Sequence, residues 1–130
     1  MKILIAGAPR TGKSTFAAQL SMQHGLPVLH TDDLIGSTDW SGASLEVMKW
    51  IEDNDHCIIE GVVVARALRK WLVNNEGSPA DILYNLTEAK VEQTPGQITM
   101  AKGCGTVFAE IVQELLVRGC EVDIDPEFQR

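Results

Sequence analysis

The chain has 130 residues, 45% of them hydrophobic, and a formal net charge of -7. That length buries one core and falls short of two, so residues 1–130 are expected to form a single domain. The acidic balance offers no counter-charge to nucleic acid or an anionic membrane surface, and no stretch approaches the ~18 apolar residues of a membrane span, so a cytoplasmic protein is expected.

Ile3, Leu4, Ile5 and Ala6 form a continuous apolar run, the pattern of a strand covered on both faces. Directly after it stands Gly7-Ala8-Pro9-Arg10-Thr11-Gly12-Lys13-Ser14, a complete GxxxxGKS phosphate loop, and then Thr15 and a helical pattern. In that setting Gly7 and Gly12 let the backbone turn so that successive N–H groups face an anion, aided by the positive end of the helix dipole. Residues 7–15 are therefore the expected nucleotide-binding set, with Lys13 on the β- and γ-phosphates and the Ser14 hydroxyl on Mg²⁺.

The helix is expected over residues 13–23, burying Phe16, Ala17 and Leu20 and ending at Gly25. Residues 27–30 read as a second strand that runs into a polar segment, Thr31-Asp32-Asp33, and a loop holding Trp40. Leu45, Met48 and Ile51 share a helical face, predicting a helix over 44–53. Residues 57–59 form a third strand ending at Glu60-Gly61, and Val64, Ala67, Leu68, Trp71 and Leu72 mark an amphipathic helix to about residue 75. A fourth strand is expected over 82–86. A last helix carries Phe108, Ile111, Val112, Leu115 and Leu116 and stops at Gly119, before a fifth strand over 120–124. Strictly alternating elements predict a three-layer αβα fold around a five-stranded parallel sheet. Residues 87–105, polar and glycine-containing, read either as a mobile lid or as a surface excursion with a short helix. Cys57 and Cys120 fall in apolar runs and are expected as buried thiols.

Open parallel sheets bind ligands beyond the carboxyl ends of their strands, where three polar clusters fall here: the phosphate loop, residues 30–33, and Glu60-Gly61. Phosphoryl transfer needs a carboxylate to orient or deprotonate the nucleophile. Asp32 is the first choice and Asp33 the alternative, although either can instead cap the turn. Glu60 is expected to assist Mg²⁺ through a metal-bound water, and Gly61 serves either close ligand approach or a turn. Arg66 and Arg69 lie one turn apart, with Arg66 nearer the strand ends and so the expected acceptor contact. Lys90 and Lys102 are the cations of residues 87–105. His30 reads as a substrate ligand or a hydrogen-bonded structural residue, Trp40 as a wall of the acceptor pocket, and Trp50 and Trp71 as core.

With these residues the chain resembles the small P-loop kinases, the group that includes adenylate kinase and shikimate kinase. GAPRTGKS carries the superfamily resemblance. His30-Thr31-Asp32-Asp33-Leu34-Ile35 is similar to the Asp-Thr-Asp segment of shikimate kinase-like sequences, with His30 replacing the first aspartate and Asp32 matching the acceptor-binding one. The resemblance implies a P-loop NTPase fold with strand order 2-3-1-4-5, ATP and Mg²⁺ as cofactors, and a small-molecule phosphate acceptor. Two features depart from it: residues 87–105 contain no arginine where the family's lid carries several, and Asp125-Pro126 stands alone where the family cradles adenine. The function expected is transfer of the γ-phosphoryl group of ATP to a nucleoside, nucleotide or other hydroxyl compound. The alternatives are a nucleotide-binding switch or weak NTPase that contacts a protein partner, and a non-catalytic assembly component. Oligomeric state is left open, a homo-oligomer included.

Overall fold

A computed structural model describes residues 1–128. The elements run β1 (Lys2–Gly7), α1 (Lys13–His24), β2 (Val28–His30), α2 (Trp40–Asp53), β3 (Cys57–Glu60), α3 (Val64–Asn74), β4 (Ile82–Leu86), α4 (Pro95–Val117) and β5 (Glu121–Ile124). All strand pairs are parallel and the order is β2-β3-β1-β4-β5, a three-layer αβα sheet as expected.

The apolar run of β1 becomes the central strand because only that place buries both of its faces. Ile3 and Ile5 point into a cluster with Phe16, Ala17 and Leu20 of α1. Leu4 and Ala6 point the other way, into the larger core formed with α2, α3 and α4. Each such isoleucine or leucine contributes about 1.5–3 kcal/mol of burial, so β1 anchors the loop that follows it. Among the described residues no helix is long and apolar enough to cross a membrane.

Two elements differ from expectation. α2 starts at Trp40, since the Asp39 carboxylate accepts the Gly42 N–H at 2.7 Å and caps the helix there, so Trp40 opens a helix instead of standing in a loop. Its buried face is Ala43, Ser44, Val47 and Ile51, while Leu45 is exposed; the small residues suit the face that packs against α3. Residues 87–105 form no continuous irregular segment. The first eight are a connection, and the remainder is the amino-terminal half of α4, started by a capping box in which Thr94 Oγ1 accepts the Gln97 N–H (3.2 Å) and Gln97 Oε1 accepts the Thr94 N–H (2.9 Å). Pro95, at the first helical position, completes that start.

Beyond β5, Asp125 ties the sheet edge to its neighbour. Its carboxylate accepts the Thr87 N–H at 2.7 Å and also the Thr87 hydroxyl.

Candidate functional site

β1 delivers the chain into the phosphate loop at the carboxyl edge of the sheet, and α1 leaves it. Gly7 has φ 143°, and a Cβ there would stand 2.2 Å from the Leu86 carbonyl oxygen, so only glycine lets the loop leave the sheet while touching β4. The first bond of α1 is Phe16 N–H to the Gly12 carbonyl (2.9 Å), which leaves the N–H groups of Lys13, Ser14 and Thr15 without intrahelical acceptors. These donors line a cleft of about 460 Å³ with Arg10, Asp32, Trp40 and Glu60.

Lys13 is buried, and its ammonium donates to the Ala8 carbonyl at 2.5 Å. Burial pushes its pKa below the usual lysine value, while the charges of Glu60, Cys104 and Asp32 pull it back up. The ammonium also donates to the Thr11 hydroxyl at 3.4 Å.

Parallel pairing sets His30 beside Glu60, and the same Glu60 stands beside Ile5 of β1. Glu60 is 2% exposed; its Oε1 accepts from His30 Nδ1 at 2.6 Å and from the Ser14 hydroxyl at 3.3 Å. His30 therefore positions the carboxylate. The hydroxyl of Ser14 and the carboxylate of Glu60 are hard oxygen donors of the kind Mg²⁺ takes beside phosphate oxygens, so the residues present fit that ion.

Gly61 lies against Thr31. A Cβ there would stand 1.7 Å from Thr31 Oγ1, and its φ of 144° already excludes ordinary side chains. The strand end is thus shaped by the segment that carries Asp32. Asp33, by contrast, is exposed and lies outside the cleft.

The connection before α4 is clasped to the phosphate loop. Lys90 N–H donates to the Arg10 carbonyl (2.7 Å), Gln93 Nε2 to the Pro9 carbonyl (2.7 Å), and Arg10 Nε to Gln97 Oε1 (3.2 Å). Arg10 itself sits at φ 62°, a left-handed conformation costly for a side-chain-bearing residue, and these contacts hold it there.

A second cleft of about 390 Å³ adjoins the first through Trp40, Val62 and Met100 and extends to Arg66, Thr99 and Cys104. The Arg66 guanidinium lies 6.0 Å from the Trp40 ring centroid. Arg69, one turn on, is paired with Glu110 at 3.0 Å and lines neither cleft. The Lys90 ammonium reaches Glu88, and Lys102 is exposed outside both clefts. Trp71 is core as expected, and Trp50 is partly buried against the same cluster.

Three features of the site escaped the sequence. Met100 and Cys104 wall the clefts because α4 begins early, which the Thr94-Pro95-Gly96-Gln97 pattern signals. Burial pushes the Cys104 thiol up, with Lys13 and Arg66 nearby acting against the shift. Phe128 stacks on Phe16 (4.7 Å between ring centroids), and its ring edge would lie 3.1 Å from a Cβ on Gly12. It stands behind the phosphate loop beside Tyr84, which meets Phe16 edge-on at 4.8 Å. A lone aromatic after a proline gave no signal of that contact.

No family model matches the chain, and no curated protein matches it. Solved structures do. Shikimate kinase from Aquifex aeolicus vf5 is similar with a TM-score of 0.55 and 14% identity, over 95% of this chain and 86% of that one. Deoxyadenosine kinase from M. mycoides with bound dATP is similar with a TM-score of 0.50 and 15% identity, over 96% of this chain and 91% of that one. At such identities the likeness is one of fold, and the fold is that of the small P-loop kinases.

Proposed function

We propose that the chain is an ATP-dependent phosphotransferase acting on a small hydroxyl-bearing molecule. One observation carries the reading: the phosphate cleft opens into a second cleft, and Asp32 lines the first of them close enough to Lys13 to act on its charge. A molecule seated in the second cleft would present its hydroxyl to that carboxylate, and a triphosphate seated in the first would present its terminal phosphorus to the hydroxyl.

Each residue then has a definable task. The free N–H groups of Lys13, Ser14 and Thr15 hold phosphate oxygens, and the Lys13 ammonium balances negative charge that builds during transfer. Asp32 accepts a hydrogen bond from the acceptor hydroxyl and orients it for in-line attack. Ser14 and Glu60 would hold Mg²⁺, which supplies further charge neutralisation at the phosphates. His30 fixes Glu60, so its contribution is to positioning.

The test compares ATP turnover with and without acceptors drawn from nucleosides, sugars and hydroxy acids. Turnover that rises at least tenfold with one class supports the transferase, because a kinase pocket excludes water as a competing acceptor. Equal hydrolysis throughout supports instead a nucleotide switch, a reading favoured by the clasp from Lys90, Gln93 and Gln97 onto the phosphate loop.

A further inference from the structure

Among the described helices only α1 lies on its face of the sheet, where it packs on β1, β2 and β3. The β4 and β5 half of that face is met by residues 126–128, and a cleft of about 400 Å³ remains between them and α1. It shares no described lining residue with the two clefts beside the phosphate loop.

Two kinds of side chain meet there. Phe16, Tyr84 and Phe128 form an aromatic wall, with the Tyr84 and Phe128 ring centroids 4.8 and 4.7 Å from that of Phe16. Parallel register sets Asp123 beside Tyr84, and Glu127 follows on the segment that borders the cleft. Asp125, between the two acids, is spent on Thr87. Asp123 and Glu127 are exposed, and neither carboxylate has an ion pair or hydrogen bond among the described residues. No described lysine, arginine or histidine lines the cleft. The Tyr84 hydroxyl senses this field: burial first, then the charges of Asp123 and Glu121, holds it above the usual tyrosine pKa.

Aromatic faces rimmed by negative charge attract a positive ligand, through the ring quadrupole and by direct Coulomb attraction. A bare divalent ion does not match, since it takes about six oxygen ligands and the described residues hold no group of three metal-ligating side chains. Phosphorylated compounds carry the wrong sign. A neutral ring would use the wall and leave both carboxylates unanswered. The volume falls among small-molecule pockets, which span about 300–1,000 Å³. We propose that this cleft binds an organic cation, an alkylammonium or quaternary ammonium compound, with its charged head on the Tyr84 and Phe128 rings in reach of Asp123 and Glu127. The site stands apart from the transferase reading and survives its failure.

Choline and its neutral isostere 3,3-dimethylbutan-1-ol are the probes, with adenosine and Mg²⁺ as controls, each titrated into the whole chain and followed by amide NMR. Choline should shift resonances of α1, β5 and residues 126–128, and should bind at least ~10-fold more tightly than the alcohol, a ratio equal to about 1.4 kcal/mol. Asp123→Asn combined with Glu127→Gln, both at exposed positions, should erase that ratio. Tyr84→Leu should weaken choline, and Tyr84→Phe, which keeps the ring, should not. If Tyr84→Leu fails to fold, the double variant decides alone. Equal binding of choline and the alcohol, a ratio that survives the double variant, choline shifts scattered over the acidic surface, or no choline binding at millimolar concentration overturns the proposal. Adenosine or Mg²⁺ shifting the same resonances as strongly as choline overturns it too, the first revealing a base pocket and the second a plain acidic patch.

Discussion

In the proposed function Lys13 and Asp32 divide the work of the site, and each makes a separable prediction. The Lys13 ammonium is buried beside a carbonyl and away from any full counter-charge in hydrogen-bonding range, so the ligand-free protein carries a desolvation cost there. Lys13→Met should leave the ligand-free protein as stable or more stable, by up to about 1 kcal/mol, while abolishing transfer. Urea unfolding paired with turnover measurements checks both halves. Asp32 is exposed in the cleft, and its fold contact is made by its backbone carbonyl, which accepts the Ile35 N–H at 3.1 Å. Asp32→Asn should therefore keep the melting temperature and the ATP affinity and lower kcat by ~100-fold or more, the range of a positioned acid–base group. An unchanged kcat would move the role to Asp33 or to no side chain at all. The place of both side chains in one cleft was legible in the sequence, because each follows directly on a strand end. Gly61 was not: its reason is Thr31, thirty residues earlier, pressed against it by the pairing of β2 with β3.

At the scale of elements, α4 joins stability to the site. Its amino-terminal turn holds Gln97, which both caps the helix and meets Arg10, so loosening the cap disturbs the phosphate loop. Thr94→Ala should cost about 1 kcal/mol and raise the dissociation constant for ATP, readable by thermal unfolding and calorimetry. At the opposite sheet edge, burial pushes the Asp125 carboxyl upward, but hydrogen bonds from the Thr87 hydroxyl and the amides of Thr87 and Glu88 outweigh it and hold the pKa below the usual aspartate value. A carboxyl depressed by folding stabilises the native state above its unfolded-state pKa, and that stability is lost as pH falls through the folded value. Asp125→Asn is the fitting variant, since asparagine tolerates the φ of 48° found there. Its deficit against the parent protein at pH 7 should shrink below about pH 4, as melting curves across pH would show. The cap of α4 stood in the sequence as Thr94-Pro95-Gly96-Gln97, masked by Gly96, Gly103 and Gly105, which argue against a helix on propensity alone. Packing of Val107, Phe108, Ile111 and Leu115 into the core overrides that preference.

For the whole molecule, ligand binding and folding are linked. ATP with Mg²⁺ at 100 times its dissociation constant should add about 2.7 kcal/mol of stability, which for a domain of this size is roughly 10 °C in melting temperature. Scanning calorimetry against nucleotide concentration checks it, and no shift at millimolar ATP would leave the phosphate cleft without its expected ligand. The amino-acid sequence by itself determined the sheet with alternating helices and the place of the GxxxxGKS loop between β1 and α1, because periodicity, strand-to-helix order and motif spacing are properties of neighbouring residues. The meeting of Ser14, His30 and Glu60, the seat of Arg66 over Trp40, the clasp on Arg10 and the stacking of Phe128 were decided only by the tertiary structure. Those contacts join residues far apart in the chain, and strand register and helix packing, which no local pattern encodes, set their distances.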